Sequence, residues 1–267
     1  MRHDEAMHRG DDVDEGPAAG PSDSGSAPKA RTVWIVGAGG QLGAALLESA
    51  RRPPHVRALT SRDIDISDAA SVGRALADLD VGDVVVNCAA YTNVDAAESD
   101  RERAAAVNAS GPANLATQTA GAGAWLIHIS TDYVFGGAAA GSPTEGETRP
   151  APRTTPYEAT MVEDDLAPET VYGATKLEGE RAARAADPTA TIVRTAWVYT
   201  GGRESPDFVG TMRRLEATRG AITVVDDQTG SPTYVRDLAD GLWELAARVG
   251  DDAVTGAVLH ATNTGAA

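Results

Sequence analysis

Tyr172 and Lys176 stand four residues apart in Val171-Tyr172-Gly173-Ala174-Thr175-Lys176. On a helix that spacing puts both side chains on one face, about one turn apart. A phenol with a pKa of about 10 is a poor proton donor or acceptor at neutral pH. An ammonium beside it favours the phenolate and lowers that pKa. A tyrosine tuned in this way can pass a proton to a carbonyl oxygen as a hydride reaches the carbon. Taken alone, the pair reads first as an ordinary helix with one core tyrosine and one solvated lysine. Its chemistry depends on what accompanies it.

The next group is Gly37, Gly40 and Gly43, spaced Gly-x-x-Gly-x-x-Gly. They follow the apolar run Thr32-Val33-Trp34-Ile35-Val36 and precede a helix expected from Ala44 to about Arg52, stopped by Pro53-Pro54. Strand, glycine turn and helix let a backbone approach a pyrophosphate and offer it helix N-terminal amides. A plain strand-turn-helix connection is the alternative. Val56-Arg57-Ala58-Leu59 reads as the second strand, whose end should meet the adenosine ribose. An acidic residue there suits a free 2′-hydroxyl, and an arginine suits a 2′-phosphate. Ser61 and Arg62 lean the reading toward NADPH over NADH, although Arg62 also fits a solvated loop charge. Asp65-Ile66 lies either near the adenine or, through Asp65, at the cap of the next helix, about Ser67 to Leu79.

The elements that would position these groups alternate along the chain. Asp83-Val84-Val85-Val86-Asn87 is a buried parallel strand by its β-branched run, and Cys88-Ala89-Ala90-Tyr91-Thr92 leaves its end. An Ala-rich helix over 100–121 contains Asn108. Ala124-Trp125-Leu126-Ile127-His128-Ile129 is a further strand that delivers Ser130-Thr131-Asp132-Tyr133. Ligands of open α/β sheets sit at the carboxyl ends of strands, so Thr131 is placed to hydrogen-bond a substrate oxygen; a strand-end turn residue is the local alternative. A long loop over 136–168 precedes the Tyr172 helix, which Pro168-Glu169 opens. Thr191–Arg194 is a strand, 208–219 a helix, Ile222–Val225 a short strand, Val235–Val249 a helix and Ala257–His260 a last strand. The pattern implies an α/β doubly wound parallel sheet, a Rossmann fold.

Composition narrows the class. The 267 residues are enough for a sizeable core. A formal net charge of −16 argues against nucleic acid or an anionic membrane surface as partner. One cysteine, Cys88, excludes an internal disulfide and a thiolate metal cluster. No apolar run approaches the roughly 20 residues of a membrane span, and the acidic N-terminus lacks a signal-peptide core. A soluble cytoplasmic protein follows by elimination. Residues 1–30, rich in Gly, Pro, Ser and Asp, read as a disordered tail.

In combination these residues resemble the extended short-chain dehydrogenase/reductase superfamily. Five stretches are similar, within it, to the dTDP-4-dehydrorhamnose reductase family: Gly40-Gln41-Leu42-Gly43, Ala89 to Asp95, Ser130 to Phe135, Arg194 to Tyr199, and Asp227-Gln228-x-Gly230-x-Pro232-Thr233. The resemblance implies reduction of the C4 ketone of dTDP-4-dehydro-L-rhamnose with NADPH or NADH. It implies Tyr172 as general acid and as a cofactor contact, Lys176 lowering its pKa and binding the nicotinamide ribose, and Thr131 orienting the ketone oxygen. It puts the cofactor along Gly40-Gln41-Leu42 with Ala90-Tyr91-Thr92 beneath its middle, and Asp132 against the sugar. Trp197 offers the deoxysugar a ring face or is a core tryptophan. Residues 31–195 would then mainly hold the dinucleotide and 196–267 mainly the nucleotide sugar, in a monomer or homodimer.

Departures from the family pattern are specific. Phe135 is followed by Gly136-Gly137 instead of Asp-Gly, the loop from Ala138 to Thr155 is long, and Asp207 stands where Asn is usual before Phe-Val. Some members bridge a dimer through Mg²⁺ with a carboxylate early in the first helix. Ala44 and Ala45 stand there, so no metal site is read. The family continues past the equivalent of Ala267, so the chain is expected to be C-terminally truncated. Two other classes stay open: a nucleotide-sugar epimerase or dehydratase, against which Tyr133 replaces the dehydratase Glu after Thr-Asp, and a non-catalytic NADP-binding regulatory subunit.

Overall fold

The computed structural model of the chain describes residues 30–136, 166–219, 221–224 and 228–267. All but the last residue of the expected tail (1–30) and most of the long loop (137–165) lie outside the described residues. The elements are β1 Val33–Val36, α1 Gln41–Glu48, β2 Val56–Leu59, α2 Ala69–Ala75, β3 Val84–Asn87, α3 Val94–Ser99, α4 Arg101–Ala105, α5 Gly111–Ala122, β4 Trp125–Thr131, α6 Val171–Ala186, β5 Thr191–Thr195, β6 Val198–Tyr199, α7 Phe208–Thr218, β7 Thr233–Tyr234, α8 Val235–Ala246 and β8 Val258–His260.

Six strands form one sheet in the order β2-β1-β3-β4-β5-β8, and each neighbouring pair is parallel. The expected doubly wound sheet is present. Residues of β1 and β3 are buried throughout, because helices cover both faces and the β-branched runs have no solvent side. Ile35, Leu46, Val86, Leu242 and Trp243 fill the core beneath α1 and α8. Trp34, Leu76, Leu115, Leu126 and Ile192 fill the other, beneath α2, α5 and α6. The buried Asp83 carboxylate closes the amino end of the sheet, accepting from the Thr32 amide at 2.8 Å and from Trp34 Nε1 at 3.1 Å. Arg31–Ala267 packs as one unit. Among the described residues no helix is long and apolar enough to cross a membrane.

Three expectations are corrected. The first helix starts at Gln41, not Ala44, directly behind Gly40, and ends at Glu48. The single helix over 100–121 is α4, a π-helical turn at Ala106–Ser110, and α5. Pro112 in the first turn of α5 has no amide hydrogen to continue an i to i−4 ladder, and the extra residue of a π-turn absorbs the mismatch. No strand forms at 221–224, where Ile222 and Val224 are exposed and no described strand lies beside them to pair with. Asp207, in place of the usual Asn, caps α7 by accepting from the Gly210 amide at 2.8 Å.

Candidate active site

Helix α6 carries the pair the spacing singled out. Thr170 caps it, its hydroxyl accepting from the Gly173 amide at 3.0 Å. Gly173, Lys176, Leu177, Gly179, Glu180 and Ala183 form its buried stripe, the spacing of one helix face. Gly173 lets the helix press on the turn after β4, since a Cβ there would sit 2.2 Å from the Tyr133 carbonyl oxygen. Gly173→Ala therefore pushes α6 off that turn. We expect about 1–3 kcal/mol lower stability by chemical denaturation and roughly 100-fold lower turnover, because the reacting groups separate.

That packing brings Tyr172 beside Thr131. Thr131 ends β4, in register with Thr195 of β5. Its hydroxyl donates to Asp132 Oδ1 at 3.1 Å and accepts from the Tyr133 amide at 3.3 Å. The Tyr133 and Tyr172 rings meet edge to face at 5.4 Å. Burial pushes the Tyr172 phenol up to about 12; a hydrogen bond with Thr131 opposes this and the Asp132 carboxylate adds to it. Burial also raises Asp132. The expectation that Lys176 lowers the phenol pKa is thus not met. The reason is burial of the phenol; Lys176 has other partners, its buried Nζ donating to the Ile129 carbonyl at 2.6 Å and lying 3.4 Å from His128 Nε2. Burial lowers Lys176 itself to about 8, against the Glu180 carboxylate and Cys88. The phenol stays protonated, the form a proton donor needs.

The glycine turn faces the same sheet edge. Gly37 has φ +84°, and a Cβ there would lie 2.6 Å from the Ala89 amide nitrogen. The β1 and β3 ends can approach this closely only because no side chain intervenes. Gly40 caps α1 without a side-chain hydrogen bond, so that helix's first amides are not covered by its own cap. Leu42 is half-buried and Gly43 buried; Gln41 Nε2 donates to Ser205 Oγ at 3.2 Å. Ala90 and Tyr91 are half-buried and Thr92 exposed.

Ser61 and Arg62 are exposed after β2, in a turn where Asp63 accepts from the Thr60 amide at 2.8 Å. Asp65 accepts from the Ser67 amide and hydroxyl, and Asp68 caps α2, so the capping role weighed for Asp65 belongs to Asp68. The Ile66 side chain is in the core. Trp197 is half-buried and outside the hydrophobic clusters, contrary to the core alternative. It has φ +45°, a left-handed backbone unusual for a bulky residue and a mark of functional sites. Gly230 makes room for its ring, which a Cβ would approach to 2.4 Å.

Five supporting residues were given no role by the sequence reading. Asn108, in the π-turn, accepts from the Tyr91 amide at 2.8 Å and donates to Thr175 Oγ1 at 3.2 Å, joining the β3 loop to α6. Glu180 is held by Arg194 through bonds of 3.0 and 2.7 Å, and Ser130 Oγ also donates to it. Thr195 Oγ1 is buried without a hydrogen-bond partner at the Thr131 edge.

A parallel sheet with a glycine turn after β1, and with Tyr and Lys one turn apart facing the end of β4, is the layout of a short-chain dehydrogenase/reductase. Residues 31–267 match the family model described as RmlD substrate binding domain, and the chain belongs to that family. It is 52% identical over 240 residues to the dTDP-4-dehydrorhamnose reductase of Mycobacterium tuberculosis, covering 90% of this chain and 72% of that protein. The Mycolicibacterium smegmatis enzyme of that name is 51% identical, with 89% and 66% covered. A crystal structure of dTDP-4-dehydrorhamnose reductase from Bacillus anthracis, in complex with NADP, superposes with a TM-score of 0.75 at 34% identity, covering 88% of this chain and 75% of that one.

Proposed function

We propose that the chain is an NADPH-dependent dTDP-4-dehydrorhamnose reductase, converting dTDP-4-dehydro-L-rhamnose to dTDP-L-rhamnose. The observation that carries the reading is the adjacency of Thr131 and a protonated Tyr172 at the carboxyl edge of β4, with Lys176 anchored behind them. The relatives' names supply the substrate. The residues fit a dinucleotide: Gly37 lets the β1 turn close on the Ala89 backbone with no side chain between, and the Thr195 hydroxyl is buried at the same edge without a partner among the described residues. Gly37, Gly40, Gln41, Leu42 and Gly43 would hold its pyrophosphate, Ser61, Arg62 and Asp65 its adenosine end, Ala90, Tyr91 and Thr92 its middle, and Lys176 its nicotinamide ribose. Ile66 shapes the adenine side from the core. When bound, the reduced nicotinamide supplies a hydride.

Tyr172 donates its phenol proton to the C4 oxygen as the carbon is reduced. Thr131 orients that oxygen, Asp132 contacts the sugar and Trp197 gives it an apolar face. Residues 31–195 serve mainly the cofactor and 196–267 mainly the sugar. The enzyme works in the cytoplasm on a nucleotide sugar, without nucleic acid. Incubation with dTDP-4-dehydro-L-rhamnose and NADPH should consume one cofactor per dTDP-L-rhamnose formed. Binding of NADPH without consumption would overturn the reading. Arg62→Ala should weaken NADPH binding about 10- to 100-fold, the worth of one charge-assisted hydrogen bond, and leave NADH binding unchanged in a fluorescence titration.

A further inference from the structure

Two fully buried polar side chains stand behind Lys176 and have no part in the proposed chemistry: Asn87 and His128. The Ala89 amide donates to Asn87 Oδ1 at 3.0 Å, which turns Asn87 Nδ2 toward the imidazole. Nδ2 lies 3.0 Å from His128 Nδ1. An amide nitrogen only donates, so Nδ1 accepts and the ring proton sits on Nε2. That Nε2 is the atom 3.4 Å from Lys176 Nζ. An ammonium has three donors and no lone pair, so it meets the Nε2–H donor to donor. A neutral amine accepts that N–H and still donates to the Ile129 carbonyl.

We propose that Asn87 and His128 are positioning residues for Lys176: Asn87 holds the imidazole as the Nε2–H tautomer, and that N–H disfavours the ammonium form of the lysine. Lys176 then releases its proton more readily than a lysine facing an acceptor. Burial acts in the same direction on Lys176, bringing it to about 8. It also holds His128 well below the usual imidazole range, so the ring stays singly protonated. The other groups around Nζ do not supply this effect. Cys88, after β3, has a thiol pushed up to about 12 by burial and is neutral. Glu180, one turn along α6, favours the ammonium and is shared with Arg194. Tyr172, one turn earlier, remains a phenol.

The chain has two lysines, Lys29 and Lys176, so protein labelled with ¹³C at lysine Cε gives two NMR signals to titrate. In the ligand-free protein, ¹⁵N-histidine spectra should show His128 with Nδ1 bare and Nε2 protonated at neutral pH. The Lys176 signal should titrate near 8. His128→Gln, whose carbonyl oxygen can turn to the lysine, should raise the Lys176 midpoint by about one unit or more. An Nδ1–H tautomer in the wild type, or an unmoved midpoint in the variant, overturns the proposal. So does a variant that loses only thermal stability, since a structural histidine does just that. The wild-type tautomer decides the matter if the variant fails to fold. A further consequence rests on the reductase reading: the alkaline limb of kcat/KM should move with the Lys176 midpoint. The NMR measurements use no ligand, so they hold or fail apart from that reading.

Discussion

Tyr172→Phe lowers kcat by about 10²- to 10⁴-fold, the usual worth of a positioned general acid, while NADPH still binds. The phenol is pushed up to about 12 and keeps its proton at neutral pH. Phenylalanine preserves the ring that packs edge to face on Tyr133 and removes only the hydroxyl beside Thr131. The residues proposed for the pyrophosphate and the adenosine end are unchanged, so most of the cofactor's contacts remain. Because the lost interaction belongs to the transition state, kcat and kcat/KM fall together and KM barely moves. Steady-state kinetics with a parallel NADPH titration checks this. A rise in KM alone would assign Tyr172 to substrate binding instead.

Arg194→Met destabilises the fold by about 3–5 kcal/mol, the cost of stranding one charge of a buried pair. Glu180 and Arg194 have side chains only 4% and 7% exposed, and the guanidinium engages both carboxylate oxygens. Without it, Glu180 is left with the Ser130 hydroxyl as a neutral hydrogen-bond donor. The double variant Glu180→Leu with Arg194→Met recovers most of the loss, since a buried pair replaced by apolar groups is often neutral. Chemical denaturation of the single and double variants measures both. The pair also spans α6 and β5, so the single variant loosens the helix carrying Tyr172 and Lys176.

Much of this was legible in the residues because it depends on local pattern. The β-branched runs at 33–36 and 84–87 mark buried parallel strands. The glycine spacing marks the turn after β1, and the four-residue step from Tyr172 to Lys176 marks one helix face. What stayed hidden depends on packing between distant elements. Spacing places Lys176 near Tyr172, but only the fold turns Nζ to the Ile129 carbonyl and His128 and buries the phenol, which raises its pKa. His128 lies within an apolar run and reads as a core residue. The π-turn around Asn108 has Pro112 as its local sign, but its purpose lies in contacts with Tyr91 and Thr175. Ile222–Val224 has strand composition but no neighbouring strand among the described residues, and composition alone does not supply one.

The most direct measurement follows a deuteride. NADPH carrying deuterium at the transferred position of the nicotinamide is incubated with dTDP-4-dehydro-L-rhamnose and the protein, and the sugar product is examined by NMR. The account predicts dTDP-L-rhamnose with deuterium at C4, one label for each NADPH oxidised. Sugar converted without net oxidation of NADPH, as an epimerase or dehydratase would leave it, contradicts the account, as does an unaltered sugar beside bound, unoxidised cofactor.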